Sequence, residues 1–233
     1  MGILRFTILT LLLCSFVEPN GNYKDLSLCL NLRTNQGKLP VDQTGLNYCV
    51  MTGTSNGHEI NGYSFLTANN DIIDCGNNSA VNATDKLTIA AWVFMRSTAT
   101  AVCKVTTAST GFSYNIVYNS DNKVYFQMSG NGTTVAYSQT QVAYPTAIWV
   151  HIVGVFDGAG ASNANRNKVY VNGVQKTCNF SGTIPTSLFQ STANLKINSI
   201  NNTSSGTGKI GQVKIWGRAL TATEVRNEYR STK

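Results

Sequence analysis

Hydrolysis of a glycosidic bond needs two positioned carboxylates, so the acidic residues are the first to weigh for chemistry. The chain has eleven, and only Asp71 and Asp74 stand close together in sequence. Three residues apart on a regular strand, they face opposite sides and form no dyad. Of the two histidines, His151 lies between Val150 and Ile152 with no acid or nucleophile nearby and reads as a hydrogen-bonded core residue, while His58 falls in a polar stretch and reads as exposed. No G-x-S-x-G nucleophile motif occurs. Asp157, followed by Gly158, reads as an Asx-turn residue. The six cysteines, at 14, 29, 49, 75, 103 and 178, stand singly, with no C-x-x-C and no adjacent His. That pattern supports neither a zinc site nor a thioredoxin-like motif. Cys29, Cys75 and Cys103 sit in strand-like runs, where a free thiol acts as a small apolar side chain. Disulfides stay open.

Binding without catalysis asks for other residues. Sugar recognition uses an aromatic ring for the apolar face of a pyranose and amides for its hydroxyls. Tyr118, Tyr137, Tyr144 and Trp216 qualify by type and neighbourhood, but each is equally suited to pack in a core, so no ligand-binding residue is assigned. The net charge is +7 with only 12% charged residues. The cations are spread along the chain without an interleaved stacking motif, which argues against a nucleic-acid partner. The densest group, Lys196, Lys209, Lys214, Arg218, Arg226, Arg230 and Lys233, reads as a solvated rim. Six N-x-S/T sequons occur, at Asn77, Asn82, Asn131, Asn179, Asn201 and Asn202, about as many as this Asn-, Ser- and Thr-rich composition yields by chance.

The elements that would carry such a surface are strands. Ile148–Phe156 is apolar on both faces, with Trp149, His151, Val153 and Val155 on one and Ile148, Val150, Ile152, Gly154 and Phe156 on the other, as in a central strand. A polar loop leads to Lys168–Val171, and Asn172-Gly173 before Val174 predicts a two-residue type I′ hairpin. Leu87–Met95 is a second two-faced apolar strand. Phe112–Tyr118 and Lys123–Met128 form a hairpin, extended by Val135–Tyr137; Leu195–Ile197 and Lys209–Trp216 come last. Leu26, Leu28, Leu30 and Leu32 alternate with polar positions, as in a half-buried strand, and Tyr63–Leu66 and Asp71–Cys75 flank a loop. One helix is signalled, where Thr221 and Glu224 form a capping box, Leu220 and Val225 a hydrophobic staple, and Val225 and Tyr229 face the sheet.

Several of these stretches resemble segments of the laminin G-like, concanavalin A-like lectin/glucanase jelly-roll family: "DIIDCGN" at 71–77, "LTIAAWV" at 87–93, the W-x-H strand from Trp149, "YVNG" at 170–173 and "IWGRALTATEVRNEY" at 215–229. Taken in order they cover about Asn22 to Arg230. The resemblance implies an all-β, two-sheet antiparallel sandwich with a short C-terminal helix. It points to calcium at Asp71, with Asn70, because calcium takes loop carboxylate, amide and carbonyl oxygens. The chain departs from the family in having Gly211, Gln212 and Val213 after Ile210, where many relatives carry acids, and in lacking the clustered E-x-D-x-E strand of catalytic relatives.

Residues 1–21 form a leader in which Phe6–Val17 is almost wholly apolar, too short for a comfortable membrane span. It reads as a signal peptide, with an uncleaved anchor or an arm inserted into a neighbouring subunit as competing readings; residues 22–233 form one domain. The expectation is a non-catalytic recognition module, secreted or on a virion surface, that binds glycans or glycoproteins. The alternatives are a structural minor capsid or fibre-associated protein contacting neighbouring virion subunits and, less favoured, a glycoside hydrolase. No nucleic-acid partner is expected, and no membrane span beyond the leader.

Overall fold

The computed structural model describes residues 24–33, 40–53, 58–59, 62–65, 70–107, 110–200, 203–204 and 206–233. The leader lies outside them.

Two eight-stranded antiparallel sheets face each other. The first runs β13 (Val174–Gln175), β12 (Asn167–Val171), β11 (Val150–Asp157), β6 (Lys86–Met95), β18 (Gly208–Trp216), β4 (Gly62–Phe65) and β3 (His58–Glu59). Beyond β6, the free edge of β18 is shared: β4 pairs with its first residues and β1 (Leu26–Asn31) with its last. The second runs β14 (Cys178–Ser181), β10 (Ala136–Thr140), β9 (Val124–Met128), β8 (Phe112–Tyr118), β7 (Ala99–Val105), β15 (Leu195–Ile197), β5 (Ile72–Asp74) and β2 (Val50–Thr52). A hairpin of β16 (Ser199–Ile200) and β17 (Thr203–Ser204) is separate from both. The short helix α1 (Asn163–Arg166) precedes β12, and α2 (Ala222–Thr232) ends the chain.

The two-faced strands sit where their composition requires. Leu87, Ile89, Ala91 and Val93 of β6 and Val150, Ile152 and Phe156 of β11 enter the core between the sheets, against Tyr114, Ile116, Phe126 and Met128 of the second sheet. The opposite faces of β6 and β11 give Ala90, Val153 and Val155 to a second apolar cluster with Tyr170, Trp216, Leu220 and Val225. That cluster is closed by α2, so the outer face of the first sheet is largely taken by the helix. Thr221 and Glu224 make the predicted reciprocal cap, Leu220 and Val225 meet as a staple, and Tyr229 stacks on Trp92 at 5.7 Å. Asn172 and Gly173 both have positive φ, 52° and 75°, as a type I′ turn demands.

Several expectations change. β1 is covered on both faces rather than half-buried, because Cys29 and Ser27 are buried as well as Leu28 and Leu30. Val135–Tyr137 is realised as a longer strand, β10. His58 lies in strand β3 rather than in a loop. Cys75 is not free, since it is bonded to Cys49, whereas Cys29, Cys103 and Cys178 are thiols. Burial pushes the Cys29 thiol up to about 11 and the Cys103 thiol up to about 12, so both stay protonated.

Candidate functional surface

With α2 on one sheet and β7 and β8 of the other buried on both faces, the outer side of β9, β10 and β14 is the surface left to build from, and its residues follow from strand alternation. Val124, Phe126 and Met128 of β9 point into the core, so Tyr125 and Gln127 point out. In β10, Ala136 joins the same core and Ser138 and Thr140 are buried, which turns Tyr137 and Gln139 outward. In β8, Tyr114 and Ile116 face the core and Asn115 faces away.

Register aligns these residues into rows. Asp74, Lys196, Cys103, Asn115, Gln127, Tyr137 and Ser181 are successive partners from β5 to β14. The next row brings Val117, Tyr125, Gln139 and Asn179 together. The rings of Tyr125 and Tyr137 lie 5.4 Å apart at 45°. Asp121 ties Tyr125 to Gln139, because its Oδ2 accepts hydrogen bonds from the Tyr125 hydroxyl and from Nε2 of Gln139, both at 2.9 Å. Desolvation raises the Tyr125 phenol above its ordinary value, so it stays a donor. Gln141 Nε2 donates to Asn179 Oδ1 at 3.0 Å.

The β7 side of the face is raised. The Cys103 thiol donates to the carbonyl of Ser199 at 3.0 Å, which brings the β16–β17 hairpin against β7. Between that hairpin and the tyrosines stands Asn115, wholly buried, with neither amide atom hydrogen-bonded. A buried amide left in that state costs about 1–3 kcal/mol, which is the kind of local cost found where a group is kept for a ligand. Two rings and a row of amides can hold a flat polyhydroxylated molecule.

The residues singled out by type separate here. Tyr118 is buried and its hydroxyl donates to the carbonyls of Tyr144 and Pro145; Trp216 is buried beneath α2; Tyr144 packs against the core. Of the four, only Tyr137 stands on the outer face. Its partner Tyr125 was missed, although the alternation in Val124–Met128 points it outward.

The acids are held in structural bonds. Asp42 takes five, from Cys29 N, from Thr44 N and Oγ1, and from Asn47 N and Nδ2. Asp74 accepts from Gly76 N and Asn194 and pairs with Lys196 at 3.6 Å, while Asp157 accepts from Ala159 N as an Asx turn does. Asp71 is fully buried and Asn70 is exposed with φ 50°. The two do not converge with other acids: among the described residues no three His, Cys, Asp or Glu side chains come together. A calcium ion there would draw most of its six to eight oxygens from backbone and amide groups.

His151 is buried between the rings of Trp92 at 5.1 Å and Tyr229 at 5.8 Å. Burial, aided by the Lys214 charge, pushes its pKa down to about 3, so it is a neutral core residue, but its Nδ1 has no hydrogen-bond partner, and the expected hydrogen bonding is not made at that atom.

A profile described as the concanavalin A-like lectin/glucanases superfamily matches residues 67–226. Among solved structures, the binding domain of botulinum neurotoxin serotype G is similar with a TM-score of 0.66 at 17% identity, over 89% of this chain and 51% of that one. The binding domain of botulinum neurotoxin DC is similar in its complex with rat synaptotagmin II, with a TM-score of 0.66, 14% identity and coverage of 90% and 52%. In its complex with SialylT the values are 0.66, 14%, 91% and 52%. The chain therefore spans about half the length of these structures, and at such identities the likeness is one of fold. No curated protein matches the sequence.

Proposed function

The chain belongs to the concanavalin A-like lectin/glucanases superfamily, and we propose that it is a non-catalytic recognition module that holds a glycan or glycoprotein on the outer face of its second sheet. The observation that carries this reading is the Tyr125–Tyr137 pair, 5.4 Å apart, with the Tyr125 hydroxyl held by Asp121, within rows of Gln and Asn side chains. Each ring offers an apolar face to a pyranose, and the amides offer donors and acceptors to its hydroxyls. The binding domains that share the fold, two of them in complex with synaptotagmin II and SialylT, support a binding role by analogy.

The Cys49–Cys75 disulfide supports a secreted or virion-surface location, since such bonds persist in oxidising surroundings. Calcium at Asp71 and Asn70 is an added element of the reading, tested by calcium titration of thermal stability. Glycan-array binding with and without calcium tests the main claim. Binding that falls by about 1–2 kcal/mol on Tyr125→Ala or Tyr137→Ala is expected, whereas no saturable binding under either condition would leave the structural virion-protein role as the better account.

A further inference from the structure

One side of the sandwich is closed by a segment of chain that changes sheets. Val174–Gln175 pairs with β12, and the N–H of Lys176 still bonds to Val169 O at 2.9 Å. One residue later the segment belongs to the other sheet, where Thr177 O accepts from Gln141 N at 3.1 Å and Cys178 pairs with Thr140. In the corner between this crossing, β12 and Ala164 of α1 lies a cavity of about 360 Å³, a size that suits a small ligand. Asn167 lines it but is committed to the fold, since its Oδ1 accepts from Ser138 Oγ at 2.7 Å and its Nδ2 donates to Phe126 O at 3.0 Å.

The rest of the lining is cationic, polar and apolar, with no acid: Lys168, Lys176, Gln175, Thr177, Cys178 and Phe180. Among the described residues neither lysine is in an ion pair, unlike Lys196 and Lys214. Lys168 spends one of its three donors on Asn165 O at 2.8 Å and keeps the others. Two half-buried ammonium groups on one cavity without a counter-ion attract an anion. Strand alternation ties this cavity to the surface described above. In β14, Asn179 stands in the row of Tyr125 and Gln139, whereas Cys178 and Phe180 turn the other way and pack against the core. β14 is the last strand of its sheet, so a molecule passing over its free edge, about 5 Å wide, reaches from one site to the other.

We infer that the cavity holds an acidic sugar residue, one bearing a carboxylate or a sulfate ester, of a glycan whose neutral part lies on Tyr125 and Tyr137. The inference rests on the glycan-binding function proposed above. Lys168 and Lys176 take the oxyanion as charge-assisted donors, Gln175 and Thr177 meet hydroxyls, and Phe180 gives the ring an apolar wall. A bare inorganic anion would satisfy the lysines and leave Phe180 and the amide unused.

The test uses the full chain on an array of lactose and N-acetyllactosamine chains, each unmodified, sialylated and sulfated. A second readout is the rate at which iodoacetamide alkylates Cys178, followed by peptide mass. Cys29 and Cys103 are buried, Cys178 is half-buried on the cavity, and Cys14 is scored on its own peptide. The sialylated or the sulfated chains are expected to bind about tenfold more tightly than the unmodified ones, and the tighter of the two names the oxyanion. Lys176→Gln should erase that gain and Lys168→Gln reduce it, while Lys86→Gln, which removes the same charge from an exposed site on β6, should keep it. The acidic chain should also slow Cys178 alkylation in the parent but not in Lys176→Gln; an unchanged rate without ligand shows that the cavity is intact in the variant. Equal binding of neutral and acidic chains, an acidic preference that survives both cavity substitutions, or an unprotected Cys178 would overturn the inference and leave the tyrosine face standing. Binding of none of the chains would overturn both.

Discussion

Replacing Asn115 with Val puts the proposed binding face to a direct test. Asn115 is completely buried on the outer side of β8, and both atoms of its amide lack a hydrogen-bond partner. An amide in that state costs about 1–3 kcal/mol, and valine removes the polar atoms while favouring the strand. Asn115→Val is therefore expected to stabilise the protein by about 1–2 kcal/mol, a rise in Tm of about 2–8 °C for a domain of this size. If the amide is kept for a ligand, the same variant binds glycan about five- to tenfold more weakly, the loss of one hydrogen bond. Calorimetry and a binding isotherm on the same preparations check both halves. A variant that is less stable than the parent would refute the claim that the amide is unsatisfied. A more stable variant with unchanged affinity would remove Asn115 from the binding face and leave the tyrosines to carry it.

Other outcomes follow from buried groups. His151 titrates near 3 when folded and near 6.5 when unfolded, so the unfolded chain binds the extra proton between those values. Stability should fall as pH drops through this window, by up to about 1.4 kcal/mol per pH unit; denaturant melts between pH 5 and 7 should lose that slope in His151→Phe, and an unchanged slope would assign it elsewhere. The Lys214–Glu228 ion pair, 2.8 Å and buried beneath α2, should make Glu228→Ala about 3–5 kcal/mol less stable. The paired replacement Lys214→Met with Glu228→Leu should recover most of that loss in the same urea titration. Reducing Cys49–Cys75, which closes a 26-residue separation, should cost about 3–4 kcal/mol, seen as a lower Tm with reductant and as two additional alkylatable thiols by mass.

Much of the architecture was legible in the chain. Runs apolar on both faces identified β6 and β11, and period-two geometry told which of their residues face which way, because a strand's side chains alternate whatever it packs against. The Asn172-Gly173 turn and the Thr221–Glu224 cap were readable because both are made by residues within a few positions of one another. β7 was signalled only by the strand-like run around Cys103, because a bulge at Ala101, between Thr100 and Val102, breaks the alternation, and because Lys104 is buried in it, its Nζ donating to Asn77 Oδ1 at 2.5 Å and to Ala193 O at 2.6 Å. A buried lysine satisfied by residues 27 and 89 positions away leaves no local signature.

The sequence by itself determined most of the long strands, the two faces of the central ones and the closing helix. Only the tertiary structure decided that Cys49 meets Cys75, that Tyr118 and Trp216 serve the core while Tyr125 and Tyr137 meet on a surface, and that α2 covers one sheet while β9 and β10 of the other keep an outer side in solvent. The physical reason is that alternation divides a strand's residues between two sides but does not say what lies on either; that depends on which distant strand, helix or hairpin comes to rest there.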